Sequence, residues 1–205
     1  MTRESVGSEK DFLELGRAQS RILLEEFDLD ELARAQEVLM DAYRRQATVF
    51  TVGNGGSAST AAHFAADLGK YAVGEGNPGF RAVDLVSNYA AHTAWTNDAD
   101  WSSTWREMLN PWAQSGDVVV AFSVHGGSGW SGNLVRALEL ANERGAKTIG
   151  FSGDGGGRFA ELCDVSVVVP TPTDPWITPL TEGFHVLVAH LLVAGLRAQI
   201  SGERT

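Results

Sequence analysis

Two short stretches of this sequence place imidazole and carboxylate groups where they could act together. His63 and Asp67 are four residues apart, so in a helix both project from one face. Such a pair can chelate a metal ion or supply a general base. Alone, a His-x3-Asp pair is explained as well by a surface pairing without chemistry, and its weight comes from the loop that precedes it. Farther on, one apolar segment carries Glu182, His185 and His190. A helix rises ~1.5 Å per residue, so Glu182 and His190 on a continuous helix stand roughly 12 Å apart, too far to share one ion. Were both to serve one ion, the site would have to draw on two subunits or have Glu182 in an unwound helix start. His185 is about 140° around the helix from His190 and is assigned to packing or a hydrogen bond.

The loop before His63 is Gly53-Asn54-Gly55-Gly56-Ser57-Ala58-Ser59, set between a β-branched run and a helical stretch. A strand, a glycine turn and a helix N-terminus expose free backbone N–H groups and the positive end of a helix dipole, which suits a phosphate or another oxyanion. Ser57 is expected to cap the helix and face the ligand, with Asn54, Gly55 and Gly56 beside it. An ordinary tight turn would explain the same glycines, so this loop does not decide the matter alone. A second loop of the same kind, Ser123-Val-His125-Gly126-Gly127-Ser128-Gly129-Trp130-Ser131-Gly132, follows another apolar run. Two such loops at the carboxyl ends of strands would converge on one crevice. Neither contains Arg or Lys, neither matches a Walker A or G-x-G-x-x-G pattern, and serine hydroxyls suit a single phosphate; no nucleotide cofactor is expected.

The elements that must position these residues are legible from periodicity. Asp11 to Glu26 and Leu29 to Arg45 show helical apolar stripes. From Thr48 onward, short apolar runs (Thr48–Val52, Ala82–Val86, Val118–Phe122, Thr148–Phe151 and Val165–Val169) alternate with helical stretches near Ser57–Leu68, Asn88–Trp95, Trp101–Ala113, Asn133–Arg144, Arg158–Leu162 and Thr181–Arg197. The alternation predicts an α/β fold with a parallel sheet covered by helices. It divides the chain into a helical extension over residues 1–46, suited to subunit contacts, and one α/β domain over 47–205.

Composition narrows the function classes. The 205 residues are 43% apolar, enough for a sizeable core. A formal charge of −10 and a pI near 4.9 argue against a nucleic-acid partner. One cysteine, Cys163, excludes an intrachain disulfide, and with an N-terminus lacking a signal-peptide core this predicts a cytoplasmic protein. No membrane partner is expected: the longest apolar candidate, Val186 to Leu196, is interrupted by His190 and reads as a buried helix.

The segment Gly53 to Leu68, the stretch Ser123 to Ala137, Gly145-Ala-Lys-Thr-Ile-Gly-Phe-Ser-Gly153 and Leu162-Cys-Asp-Val-Ser-Val-Val-Val-Pro170 together resemble the sugar isomerase (SIS) domain family, and within it the phosphoheptose isomerases. The resemblance covers nearly the whole chain. It implies a flavodoxin-like three-layer sandwich with a five-stranded parallel sheet preceded by two helices, a homotetramer or dimer, and a sugar-phosphate substrate. It further implies aldose–ketose isomerisation through an enediol, sedoheptulose 7-phosphate being converted to D-glycero-D-manno-heptose 7-phosphate. Non-catalytic sugar-phosphate regulators and scaffolds with the same domain are the alternative.

In the resembling enzymes a glutamate occupies the position of Asp67 as base and metal ligand, a glutamine that of Glu182, and a catalytic histidine that of His190. By resemblance, then, Asp67 is the base, His190 the acid, and His63, Asp67, Glu182 and His190 the ligands of a zinc ion, although two carboxylates also admit manganese or iron. Asp67 is one methylene shorter, so either the site is re-spaced or the metal is lost. Asp98 in Thr96-Asn97-Asp98 matches a sugar-contacting motif. His125 stands where the family has a serine, and the second loop is three residues longer, leaving Ser128 and Ser131 as competing phosphate donors after Ser123. Gly153–Gly157 is either a third ligand wall or a plain turn, and Asp174-Pro175-Trp176 is placed to fold over the site as a lid.

Overall fold

The computed structural model describes residues 9–74 and 76–202, so the first eight residues of the N-terminus read above for a leader lie outside them. Helices α1 (Glu9–Glu26) and α2 (Leu29–Arg45) precede β1 (Thr48–Gly53), α3 (Gly56–Lys70), β2 (Arg81–Asp84), α4 (Tyr89–Asp98) and α5 (Thr104–Leu109). Then come β3 (Val118–Ser123), α6 (Gly132–Glu143), β4 (Lys147–Ser152), α7 (Phe159–Leu162), β5 (Val165–Val168) and α8 (Ile177–Ser201). The α2 boundaries follow local chemistry: Asp28 accepts a hydrogen bond from the Asp30 N–H at the start, and Gln46 turns left-handed at φ 55° to end the helix.

All strand pairs are parallel, in the order β2-β1-β3-β4-β5. Successive residues of a strand serve opposite faces. Val118, Val120 and Phe122 join the core under α2, α3 and α8, while Val119 and Ala121 join the core under α5, α6 and α7. With both faces covered, the strands are near-continuous apolar runs. The predicted three-layer sandwich is therefore the observed one, with α2 packed into one of its helical layers: Leu32, Ala35 and Leu39 of α2 lie in the same core cluster as Val188 and Leu192 of α8.

The direction of strand addition reverses between β1 and β3, and their register pairs Gly53 with Phe122. The two glycine loops consequently leave the sheet side by side at its switch point, the place where open parallel sheets bind ligands.

Three expectations are corrected. Helix α5 spans only Thr104–Leu109, because Asp100 closes a turn by accepting from the Ser103 N–H at 2.9 Å and Pro111, which has no N–H to donate, lies just beyond its end. Helix α8 begins earlier than expected, at Ile177, so Glu182 sits inside a regular helix and not in an unwound start. The Asp174-Pro175-Trp176 segment is no lid: the Trp176 ring packs 4.5 Å from that of Phe12 on α1, Gly16 leaves room for it, and the Thr173 N–H donates to Gln19.

Among the described residues α8 is the one helix long and apolar enough to cross a membrane by length and composition, yet its Phe184, Val188, Leu192, Val193 and Leu196 are buried in the core. The same buried stripe holds His185, with no exposed surface and no hydrogen-bond partner on either ring nitrogen. Burial pushes its pKa from 6.5 down to about 4, and the Ser152 backbone opposes this without closing a hydrogen bond on either nitrogen. His185 is thus neutral in the fold but takes up a proton near pH 6.5 when unfolded. Its contribution is present in full above that pH and is lost as pH falls through about 4, on the order of 3 kcal/mol in all. Thermal unfolding followed by circular dichroism should show wild-type stability declining more steeply between pH 6.5 and 4 than that of His185→Leu; parallel declines would assign the acid lability to other groups.

Candidate active site

The first loop is shaped by contacts that only glycine permits. A Cβ at Gly53 would collide with the Ser57 carbonyl one turn ahead, and Gly55, at φ 55°, is the N-cap of α3. No side chain caps α3. Ser57, expected to be that cap, instead lies inside the first turn, 4% exposed. The N-cap residue of α3 therefore offers no side chain to the N–H groups at the helix start, and the Glu182 carboxylate stands beside Gly56 there.

The second loop turns through four left-handed residues, Gly126, Gly127, Gly129 and Ser131. It is buttressed from behind by the Gly153–Gly157 segment: the Gly153 N–H donates to the Val124 carbonyl at 2.9 Å, and the Phe159 N–H to that of Gly126 at 3.0 Å. Close approach of the two segments excludes a Cβ at Gly126, which would meet the Gly156 carbonyl. Asn54 and Ser57 from the first loop and Ser123, His125 and Ser131 from the second line one depression of about 220 Å³, with no Lys or Arg in its wall. Ser128 does not line it; its hydroxyl stands beside Gly157.

A contact that sequence reading missed holds these loops together. The Asn54 amide donates to Asn133 Oδ1 at 2.9 Å, the Asn133 amide returns a bond to Asn54 Oδ1 at 3.0 Å, and the Trp105 indole N–H donates to the same Asn54 oxygen at 3.0 Å. Asn133 is fully buried at the start of α6 and also accepts from the Leu134 N–H. Much of the hydrogen-bonding capacity of the Asn54 side chain, which reads from sequence as a ligand contact, is spent on this bridge. The available signal was an asparagine directly after a glycine at both loop-helix junctions, Gly53-Asn54 and Gly132-Asn133.

A groove runs from the depression between α3 and α8. Glu182 lines both, and the groove continues along Gly56, Thr60 and Val186 to His63. At its far end Asp67 Oδ2 lies 3.3 Å from His63 Nε2 and 3.4 Å from His190 Nδ1, and one ligand atom from each residue can be chosen so that all lie within 4.8 Å of one another. The shorter aspartate thus reaches both histidines. Glu182 is not in this group; its carboxylate sits at the other end of the groove, so close to Gly56 that a Cβ there would clash with it. Asp98, at the end of α4, is exposed, accepts from its neighbour Asn97 and lines neither depression nor groove. The Cys163 thiol is no nucleophile: burial, then the Asp164 charge, push it up to about 12, which outweighs the hydrogen bond with Thr148.

Removing Asn133 leaves the half-buried Asn54 amide without its partner and the Leu134 N–H without its side-chain acceptor, while the Trp105 indole keeps Asn54. Asn133→Ala should lose about 1–3 kcal/mol in urea unfolding. Wild-type stability in that variant would show that the bridge does not hold the loops.

The SIS domain family model matches residues 15–153. Lincomycin biosynthesis protein LmbN of Streptomyces lincolnensis is 43% identical over 166 residues, which are 80% of this chain and 60% of that protein. Phosphoheptose isomerase of Rhodospirillum rubrum is 37% identical over 162 residues, 78% of this chain and 81% of that one. Among solved structures, phosphoheptose isomerase GmhA of Neisseria gonorrhoeae superposes with a TM-score of 0.78 at 27% identity, covering 92% of this chain and 96% of that one. The span that the family model matches includes both glycine-serine loops at the switch point of the five-stranded parallel sheet, and the chain belongs to the SIS domain family.

Proposed function

We propose that this SIS-domain enzyme is an aldose–ketose isomerase of a sugar phosphate, acting on sedoheptulose 7-phosphate or a close analogue in the cytoplasm. The observation that carries the reading is Asp67, a carboxylate 3.3 and 3.4 Å from two imidazoles, grouped with them at the His63 end of a groove whose other end shares Glu182 with a cation-free depression at a helix N-terminus.

In this reading Ser57, Ser123 and Ser131 donate hydroxyl hydrogens to the phosphate, and the start of α3 supplies backbone N–H groups. His125 adds a ring N–H. Asp67 removes the C1 proton of the ketose and returns it to C2, while His190 delivers a proton to the C2 oxygen and accepts one from the C1 hydroxyl, giving the aldose through an enediol. His63 lies against the same Asp67 oxygen as His190 and helps to hold the carboxylate in place. The two imidazole nitrogens and one carboxylate oxygen suit a zinc ion by ligand type, and a bound ion would supply Lewis-acid polarisation of the substrate carbonyl. Glu182 can join such a set only from another copy of the chain, since along α8 it lies roughly 12 Å from the His190 of its own. A homo-oligomer, tetrameric as the family resemblance implies, would meet that condition, and the exposed apolar residues Phe12, Leu15 and Ile22 on α1 support it.

Incubation with sedoheptulose 7-phosphate, followed by NMR, should give new aldose signals. Binding without turnover of any ketose phosphate would make the chain a sugar-phosphate-binding module instead. Asp67→Asn should lower kcat by about 10²–10⁴ while sugar-phosphate affinity stays within a few-fold. Wild-type turnover in that variant would remove Asp67 as the base. Chelator treatment should release zinc together with activity; full activity in metal-free protein would assign the chemistry to Asp67 and His190 alone.

A further inference from the structure

The second glycine loop ends in a feature that phosphate binding does not require. Trp130 is 71% exposed, yet it lines the depression with Ser123, His125 and Ser131. One of its two backbone neighbours, Ser131, is held in a disfavoured conformation. Gly129 has φ 68°, and Ser131 lies in the left-handed region at φ 56° and ψ 37°, where a residue with a Cβ is disfavoured. Strain of this kind, kept in a loop braced by the Gly153–Gly157 segment, points to a side chain whose position matters.

The wall beside the indole has the opposite character. Helix α8 contributes Thr178 and Glu182, a hydroxyl and a carboxylate, to the same depression. An apolar aromatic surface together with hydrogen-bonding groups matches a sugar, whose C–H face is apolar and whose rim carries hydroxyls. An inorganic phosphate offers nothing for the indole to cover.

Resting on the sugar-phosphate reading above, we infer that Trp130 is a specificity-determining residue: its indole packs on the C–H face of the substrate's carbon chain while the serine hydroxyls hold the phosphate. Its contribution is made with bound substrate as with the transition state, so it acts on KM more than on kcat.

The test is calorimetric titration of wild type, Trp130→Ala and Trp130→Phe with sedoheptulose 7-phosphate and, separately, inorganic phosphate. Trp130→Ala should bind the sugar phosphate about 3- to 10-fold more weakly with phosphate affinity unchanged, and Trp130→Phe should recover most of the loss. Equal weakening toward both ligands would reduce Trp130 to a support of the loop, and no change toward either would reduce it to solvent-facing surface; both overturn the inference and leave the sugar-phosphate reading standing. A wild-type protein that binds neither ligand overturns that reading and this inference together.

Discussion

Two glycine-rich loops make one binding site only if their separation is held, and the glycines themselves cannot hold it. In this protein the hold is the reciprocal amide pair between Asn54 and Asn133, with the Trp105 indole N–H as a third bond. Buried amides are costly to leave unpaired, so the bridge has strong geometric preference and ties the end of β1 to the start of α6. The hydroxyls of Ser57, Ser123 and Ser131 then face a common space, and the uncapped start of α3 opens beside them. Most of what the site can do with an anion depends on that arrangement, because the walls carry no Lys or Arg to attract it by charge alone.

The second half of the site is organised by packing rather than by polar bonds. Helix α8 lies along α3, with Val188 and Leu192 buried in the core that also holds Phe64 and Leu68. This contact fixes the rotation of both helices, and rotation decides which residues meet across the groove. His63 and Asp67 from α3 and His190 from α8 come together, while His185 is turned into the apolar interior and kept neutral there by burial. Two histidines five residues apart on one helix therefore have opposite roles: one is half exposed beside a carboxylate, the other is a core residue with depressed basicity.

Glu182 shows how a rigid helix limits a site. Because α8 is regular from Ile177, the carboxylate stays at the Gly56 end of the groove and cannot swing toward His190. The groove thus has a polar end, where Glu182 and Thr178 line the depression with the serines and Trp130, and an imidazole-carboxylate end.

Much of this was legible before any coordinates. The alternation of apolar runs with helical stretches pointed to a parallel α/β sheet, since a helix that packs back over the sheet returns the chain to the end where the strand began. Glycines and serines at two strand ends pointed to loops sharing one crevice, and both do line one depression; the i, i+4 spacing put His63 and Asp67 on one face. Such features are local: spacing along the chain fixes neighbours within an element. What lies between elements was decided by the tertiary structure alone, namely the pairing of Asn54 with Asn133, the choice of Ser131 over Ser128 as a wall of the depression, the docking of Trp176 on α1 and the separation of Glu182 from His190. Those outcomes depend on how helices rotate and seat against the sheet, a property of the packed core that no short sequence window contains.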